Sequence, residues 1–230
     1  PEFLEIKMKA EELGLSIFPA TRKKLLALSG GRPAQNIVLQ VSPLQYSRFH
    51  NIVDHTHNSD LLDNHSSNNP ELWLALDEIQ DPMNFGAILR TSSLLGVLGV
   101  VVPQQNSAPL SPVVSKASAG AMEMMQIFQI SNMTSFLKGR RNTGWDILGA
   151  VHPNSSFDLD LEPISCTDYI MSKPTILVLG NEGHGLQDQV LQQCTQLISI
   201  FPPSSSRTSF LSAGLDSFNV SVATGLYFFG

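Results

Sequence analysis

At 230 residues the chain is long enough for one medium domain and a small one, and its 42% hydrophobic content suffices to bury an ordinary core. No apolar run approaches the roughly 20 residues of a membrane span, and two cysteines, Cys166 and Cys194, are too few for a disulfide framework and point to a reducing interior. The net charge of −6 argues against a nucleic-acid partner until it is divided: residues 1–48 hold seven Lys and Arg against four Glu, and the rest hold seven against sixteen acidic residues, so basicity is concentrated at the N-terminus.

Residues 1–53 read as a small module of two helices and a strand. Lys9 to Leu13 is helical and stops at Gly14, which tolerates the positive φ of a helix end. Thr21 caps a second helix, Arg22 to Leu28, that ends at Gly30-Gly31. The alternation in Asn36 to Val41 predicts a strand. So short a stretch is too small for a robust core of its own, so the module is expected to pack on something or to be part of a larger domain. Residues 54–70 are polar and rich in Asn, Ser and His, which reads as a linker. Four of the six histidines, His50, His55, His57 and His65, lie in or beside it without ligand spacing, so no metal is expected.

The main domain, 71–230, alternates strand and helix. Leu72 to Leu76 is a strand. Asn84 stands where a helix N-cap belongs, before an apolar-faced helix from Phe85 to Leu95. Val97 to Val102 is a strand closed by Pro103, and Ser111 to Met125 is a helix with a stripe of small residues around Ala117 that invites close approach. Ile127 to Ile130, Trp145 to Val151, Thr175 to Leu179 and Gln196 to Phe201 supply further strands, with a helix at Met133 to Arg141 and a long connection from His152 to Lys173. Such alternation predicts an α/β fold with a parallel sheet covered on both faces.

The chemistry concentrates at strand ends. Gly180-Asn181-Glu182-Gly183-His184-Gly185 follows one apolar strand, and Ser217-Phe218-Asn219-Val220 follows a long Pro/Ser loop, 201–215, that reads as a flap. The glycine order is not that of a dinucleotide fingerprint, and neither a P-loop, an H-E-x-x-H nor a G-x-S-x-G occurs.

Three blocks together carry a resemblance. Asp81-Pro82-Met83-Asn84-Phe85-Gly86-Ala87-Ile88-Leu89-Arg90-Thr91, then Leu177 to Leu186, then Asp216 to Gly225, resemble in order and context the three motifs of the SpoU, or TrmH-type, ribose methyltransferases of the SPOUT superfamily. The resemblance covers about 72–230. It implies a parallel α/β sheet with a deep C-terminal trefoil knot, an exception to the rule that chains do not thread loops. It likens the N-terminal module to a substrate-binding domain related to ribosomal L30e. It further implies S-adenosylmethionine as methyl donor, structured RNA as substrate, a homodimer with the site at its interface, and no membrane. Within the family the layout is most similar to enzymes acting on large-subunit rRNA, mitochondrial ones and bacterial ones that methylate 23S rRNA guanosine. That places the chain in the mitochondrial matrix, with the bacterial cytoplasm as the alternative.

By motif position the resemblance implies Asn84, Arg90, Glu182, Ser217 and Asn219 as catalytic residues, and Ala150, Val151, Gly180, Asn181, Gly185, Ile200 and Phe218 as cofactor contacts. A guanidinium holds its proton beyond pH 12, so Arg90 is read as a clamp on RNA phosphate. The bland readings are that Ser217 and Asn219 cap the last helix and Glu182 the helix after Gly185. A catalytically silent RNA-binding factor on the same fold, or an unknotted nucleotide-binding enzyme, are the rival readings. A homodimer face is expected around Ala117 and on the final helix.

Overall fold

The structure, a computed structural model, describes residues 2–32, 34–47, 70–155, 161–201 and 217–229. It divides into two compact units, Pro1–Ser42 and Pro43–Gly230. Most of the polar stretch 54–70 and nearly all of the 201–215 loop lie outside the described residues.

In the smaller unit, α1 spans Glu2–Glu12, and the chain turns at Gly14 with φ 67°. α2, Arg22–Leu28, starts at Thr21, whose hydroxyl accepts from the Lys24 amide at 3.3 Å. The strand expected at Asn36 to Val41 does not form. Gln35 and Asn36 have positive φ, and among the described residues of this unit there is no other strand, so alternation alone had nothing to pair with. Among the described residues of this unit none is buried.

The larger unit is built on seven parallel strands: β1 Leu72–Leu76, β2 Gly99–Pro103, β3 Gln126–Ile130, β4 Asp146–Ala150, β5 Ile164–Ser165, β6 Thr175–Leu179 and β7 Gln196–Ser199. Their order is β3-β2-β1-β6-β4-β7-β5. β6 is buried end to end and its neighbours β1 and β2 at all but one terminal residue each, which is why they read as unbroken apolar runs. Alternate residues feed two cores. Trp73, Ala75, Val101, Ile147, Ile176 and Val178 face α6 (Met133–Asn142) and α7 (Asp188–Leu191). Leu74, Leu76, Val100, Leu177 and Leu179 face α3 (Pro82–Leu94), α4 (Pro112–Ser118), α5 (Ala121–Met124) and α8 (Val220–Phe229). The β3 edge is met by Ser47, whose amide donates to Ile127 O at 2.8 Å.

Three further expectations are corrected. Asp81, not Asn84, caps α3: its carboxylate accepts from the Met83 amide at 2.8 Å, and Pro82 takes the first helical position, where a missing N–H costs nothing. The helix expected over Ser111 to Met125 is broken at Ala119 and Gly120, both left-handed, because the Ser118 hydroxyl accepts from the Met122 amide at 3.2 Å and starts a new turn. The connection from His152 to Lys173 contains the two-residue edge strand β5 and a 3₁₀ turn, Cys166–Asp168.

The small-residue stripe is occupied within the subunit. A Cβ on Gly86 of α3 would lie 2.5 Å from Ala117 Cβ and 2.8 Å from Val114 O, so α4 is seated directly on Gly86. Among the described residues no helix is long and apolar enough to cross a membrane.

Candidate active site

In a parallel sheet every strand points the same way, so the loops after adjacent strands gather at one edge. β1, β6, β4 and β7 are consecutive neighbours, with Leu76 paired to Leu179 and Ala150 to Ile198. The loops that follow these strands carry most of the residues singled out above.

Asn84 is freed from capping by Asp81 and turns its amide to other partners. Its Nδ2 donates to Glu182 Oε1 at 2.8 Å, and its Oδ1 accepts from Asn219 Nδ2 at 3.0 Å. Asn219 Oδ1 in turn accepts from the Ser221 amide at 2.9 Å and its hydroxyl at 2.6 Å, so this side chain caps α8 while joining the relay. Three segments remote in sequence thus meet in one chain of hydrogen bonds, Glu182 to Asn84 to Asn219. Glu182 does not cap α7, whose N-cap is Gln187.

Arg90 stands apart. Six residues beyond Asn84 on α3, it is turned about 120° from it around the helix axis, is exposed, and its side chain makes no hydrogen bond or ion pair among the described residues. It lies on a stripe with Met83 and Leu94, which are 57% and 79% exposed. Ser217 and Phe218 are exposed on the approach to α8, Phe218 at 52%.

The loop after β6 is drawn tight. Asn181 and Gly185 exchange both backbone hydrogen bonds, at 3.0 and 2.9 Å, and Asn181 Oδ1 accepts from the Gly183 amide at 2.8 Å. A Cβ on Gly180 would come within 2.5 Å of Gly185 O and Leu186 N, so only glycine fits beneath the turn. Ala150 and Ile200 are half-buried at the ends of their strands. Val151 spends its amide on Ile198 O at 3.0 Å, and its carbonyl accepts from Ser199 Oγ at 2.8 Å and Tyr227 OH at 3.5 Å. What Val151 offers a ligand is therefore an apolar wall and not a donor.

Sequence reasoning passed over Asp77 and Glu78, which brace this loop from the end of β1. Asp77 is only 2% exposed. Burial pushes its carboxyl above the usual range, against a hydrogen bond from the Gln187 amide that lowers it. No motif in the sequence marks them. Neither cysteine is poised as a nucleophile, since burial pushes Cys194 up to about 12 and raises Cys166 as well. No group of side chains suited to hold a metal occurs among the described residues.

The sequence profile of the SpoU rRNA Methylase family matches residues 71–229. The chain belongs to the SpoU rRNA methylase family. It is 38% identical over 225 residues to the human protein named rRNA methyltransferase 1, mitochondrial, an alignment covering 96% of this chain and 60% of that relative. The chain thus spans less than two thirds of that protein's length. A TrmH-family protein from Porphyromonas gingivalis superposes with a TM-score of 0.57 at 31% identity, covering 74% of this chain and 62% of its own. An AdoMet-bound rRNA methyltransferase from Sinorhizobium meliloti matches all of this chain and 76% of its own, with a TM-score of 0.68 at 21% identity, a likeness of fold. The parallel α/β sheet described above is the architecture of these SpoU and TrmH proteins.

Proposed function

We propose that this SpoU domain transfers a methyl group from S-adenosylmethionine to a ribose 2'-hydroxyl, that of a guanosine in mitochondrial large-subunit rRNA. The observation that carries the reading is the hydrogen-bonded convergence of Asn84, Glu182 and Asn219, one residue from each motif, at the C-terminal edge of the sheet. Support for the donor comes from the AdoMet-bound neighbour, and support for rRNA as the substrate class and for the compartment from the name of the human relative.

The residues at this edge suit the donor. Gly180 carries no side chain, Ala150 a small one, and Ile200 and Val151 are apolar, which suits the flat apolar face of an adenine. When bound, S-adenosylmethionine supplies an electrophilic methyl. The chain's task is then orientation, and holding an oxygen in line for attack is worth about 7–11 kcal/mol of barrier. Asn84, fixed on one side by Glu182 and on the other by Asn219, is the side chain placed to hold the ribose hydroxyl or the methionine end. Arg90 clamps RNA phosphate, since its guanidinium keeps its proton at any working pH. In this reading the protein is a homodimer. The exposed apolar residues Met83 and Leu94 of α3 and Phe218, Val222 and Leu226 at α8 form the face, with Arg90 in its midst. The small unit, with its Lys and Arg, recruits RNA, and the C-terminal segment is knotted as in the family.

The test is transfer of labelled methyl from S-adenosylmethionine to fragments of large-subunit rRNA, followed by digestion to nucleosides. Label in 2'-O-methylguanosine is expected. A dimeric, cofactor-binding protein that labels no fragment would instead be a silent RNA-binding factor on this fold.

A further inference from the structure

The chain leaves β1 through Asp77 and Glu78, and the Asp77 amide still donates to Leu179 O on β6 at 2.8 Å. Glu78 then enters the left-handed region, with φ 61°. That conformation is costly for a residue with a Cβ and persists only where its surroundings over-determine it. Here they do. The Glu78 carbonyl accepts from Asn181 Nδ2 at 3.0 Å, its Oε1 accepts from Asn106 Nδ2 at 2.6 Å, and its Oε2 lies 3.3 Å from His184 Nε2. One residue earlier, Asp77 Oδ2 accepts from the Gln187 amide at 3.4 Å.

The loop after β6 is therefore tied to the end of β1 at its start by Asn181, at its tip by His184 and at its end by Gln187. Between these ties sits Glu182, whose carboxylate accepts from Asn84. Asn84 itself lies six residues beyond Glu78, so both partners of that hydrogen bond are referenced to one turn. Glu78 touches none of Asn84, Glu182 and Asn219 by any hydrogen bond among the described residues.

We propose that Glu78 is a positioning residue: its left-handed turn, carbonyl and carboxylate together fix the loop 181–187 so that Glu182 meets Asn84. The role in turnover rests on the methyl-transfer reading above, whereas the anchoring does not, and the experiment separates them. Two readouts are taken on the full chain, hydrogen exchange at the Gly183, Gly185 and Gln187 amides, and single-turnover methyl transfer alongside S-adenosylmethionine affinity. For Glu78→Ala the rate at saturating S-adenosylmethionine falls about 10- to 100-fold, the cost of a misplaced group, and the loss of cofactor affinity through Asn181 and Gly185 is smaller than the loss of rate. Exchange quickens at the three loop amides and is unchanged at Val178 in the strand. Glu78→Gly, which keeps the left-handed carbonyl and loses only the carboxylate, falls between the wild type and Glu78→Ala in both readouts.

Wild-type exchange in Glu78→Ala overturns the anchoring whatever the chemistry. Quickened exchange with a wild-type rate overturns the positioning role. A wild-type protein that methylates no RNA defeats the functional reading, and with it the role in turnover, while the exchange result still decides the anchoring. Should Glu78→Ala fail to fold, Asn106→Ala removes one tie of the carboxylate and is expected to change both readouts in the same direction.

Discussion

Asn84 is the middle of the relay, and Asn84→Asp tests whether the relay is real. The substitution keeps shape and length but sets an oxygen against Glu182 Oε1, where Nδ2 now donates at 2.8 Å. A hydrogen bond to a charged group, worth about 1.5–3 kcal/mol, is lost. Two negative charges at that separation repel by about 1.5 kcal/mol in a water-like dielectric and about 6 kcal/mol at an effective dielectric of 20. Glu182 and Asn219 are exposed and Asn84 is half-buried, so the lower end of that range applies and a destabilisation of about 3–4.5 kcal/mol is expected. The acceptor for Asn219 Nδ2 survives in the variant, which confines the damage to the Glu182 side. Urea unfolding of Asn84→Asp, Glu182→Gln and the double variant forms the cycle. In the double variant donor and acceptor are exchanged, so the hydrogen bond returns and the like-charge contact disappears. It should recover at least about 1 kcal/mol relative to the sum of the singles, and the deficit of Asn84→Asp alone should shrink in high salt. Additivity within about 0.5 kcal/mol would refute the coupling.

Gly180→Ala forces a Cβ onto Gly185 O and Leu186 N, backbone atoms with no rotamer to escape into. A loss of about 1–3 kcal/mol is expected, lowering Tm by roughly 2–4 °C for each kcal/mol, and a wild-type Tm would contradict it. Gly183→Ala is the control: its Cβ meets only the Asn181 side chain, at 3.3 Å. Arg90→Ala is expected to slow methyl transfer about 100- to 1,000-fold with S-adenosylmethionine affinity unchanged by calorimetry; an unaltered rate would remove Arg90 from the site. Asp77→Asn carries a pH signature. The folded carboxyl titrates above its unfolded value because burial disfavours the charge, so its contribution to stability is full below the unfolded pKa and is lost as pH rises through the folded one. Chemical denaturation should find the variant more stable than wild type at pH 7, with the difference vanishing near pH 4. A constant difference would show that Asp77 does not titrate as its burial implies.

The sheet was legible because buried parallel strands are written as unbroken apolar runs: Leu72 to Leu76 and Thr175 to Leu179 are read to the residue. Where a local signal was read without its competitor, it misled. Asn84 is a good cap, but Asp81 followed by Pro82 is a better one. Asn36 to Val41 alternates, yet a strand is a property of two segments. The Ser118 hydroxyl offered the backbone an alternative to helix, and Gly120 beside it enters the left-handed region at no steric cost. At the site, the three motif blocks led to Asn84, Glu182 and Asn219, but which atom bonds which was not written in them. The left-handed turn at Glu78 lay beyond reach altogether, since a positive φ at Glu leaves no trace in composition or period. The aspect of Arg90 could have been worked out, as about 100° per residue turns it away from Asn84.

Asn84 and Glu182 are 98 positions apart, and Asn84 and Asn219 are 135. Two features make such distant residues meet. A parallel sheet gathers the ends of its strands at one edge, which brings the loops after β1 and β6 within reach but does not fix them. Loops are the softest part of an α/β fold, and a relay of hydrogen bonds near 3 Å fails if either side drifts by an ångström. Fixing comes from the turn at Asp77 and Glu78, where the chain spends a strained backbone and a buried carboxylate to bind one loop to the strand that carries the other. Strain and buried charge both lower stability, and neither is needed to close the sheet, whose cores are complete without them. Their presence at this edge and their aim at the loop bearing Glu182 are accounted for by what that loop must hold still.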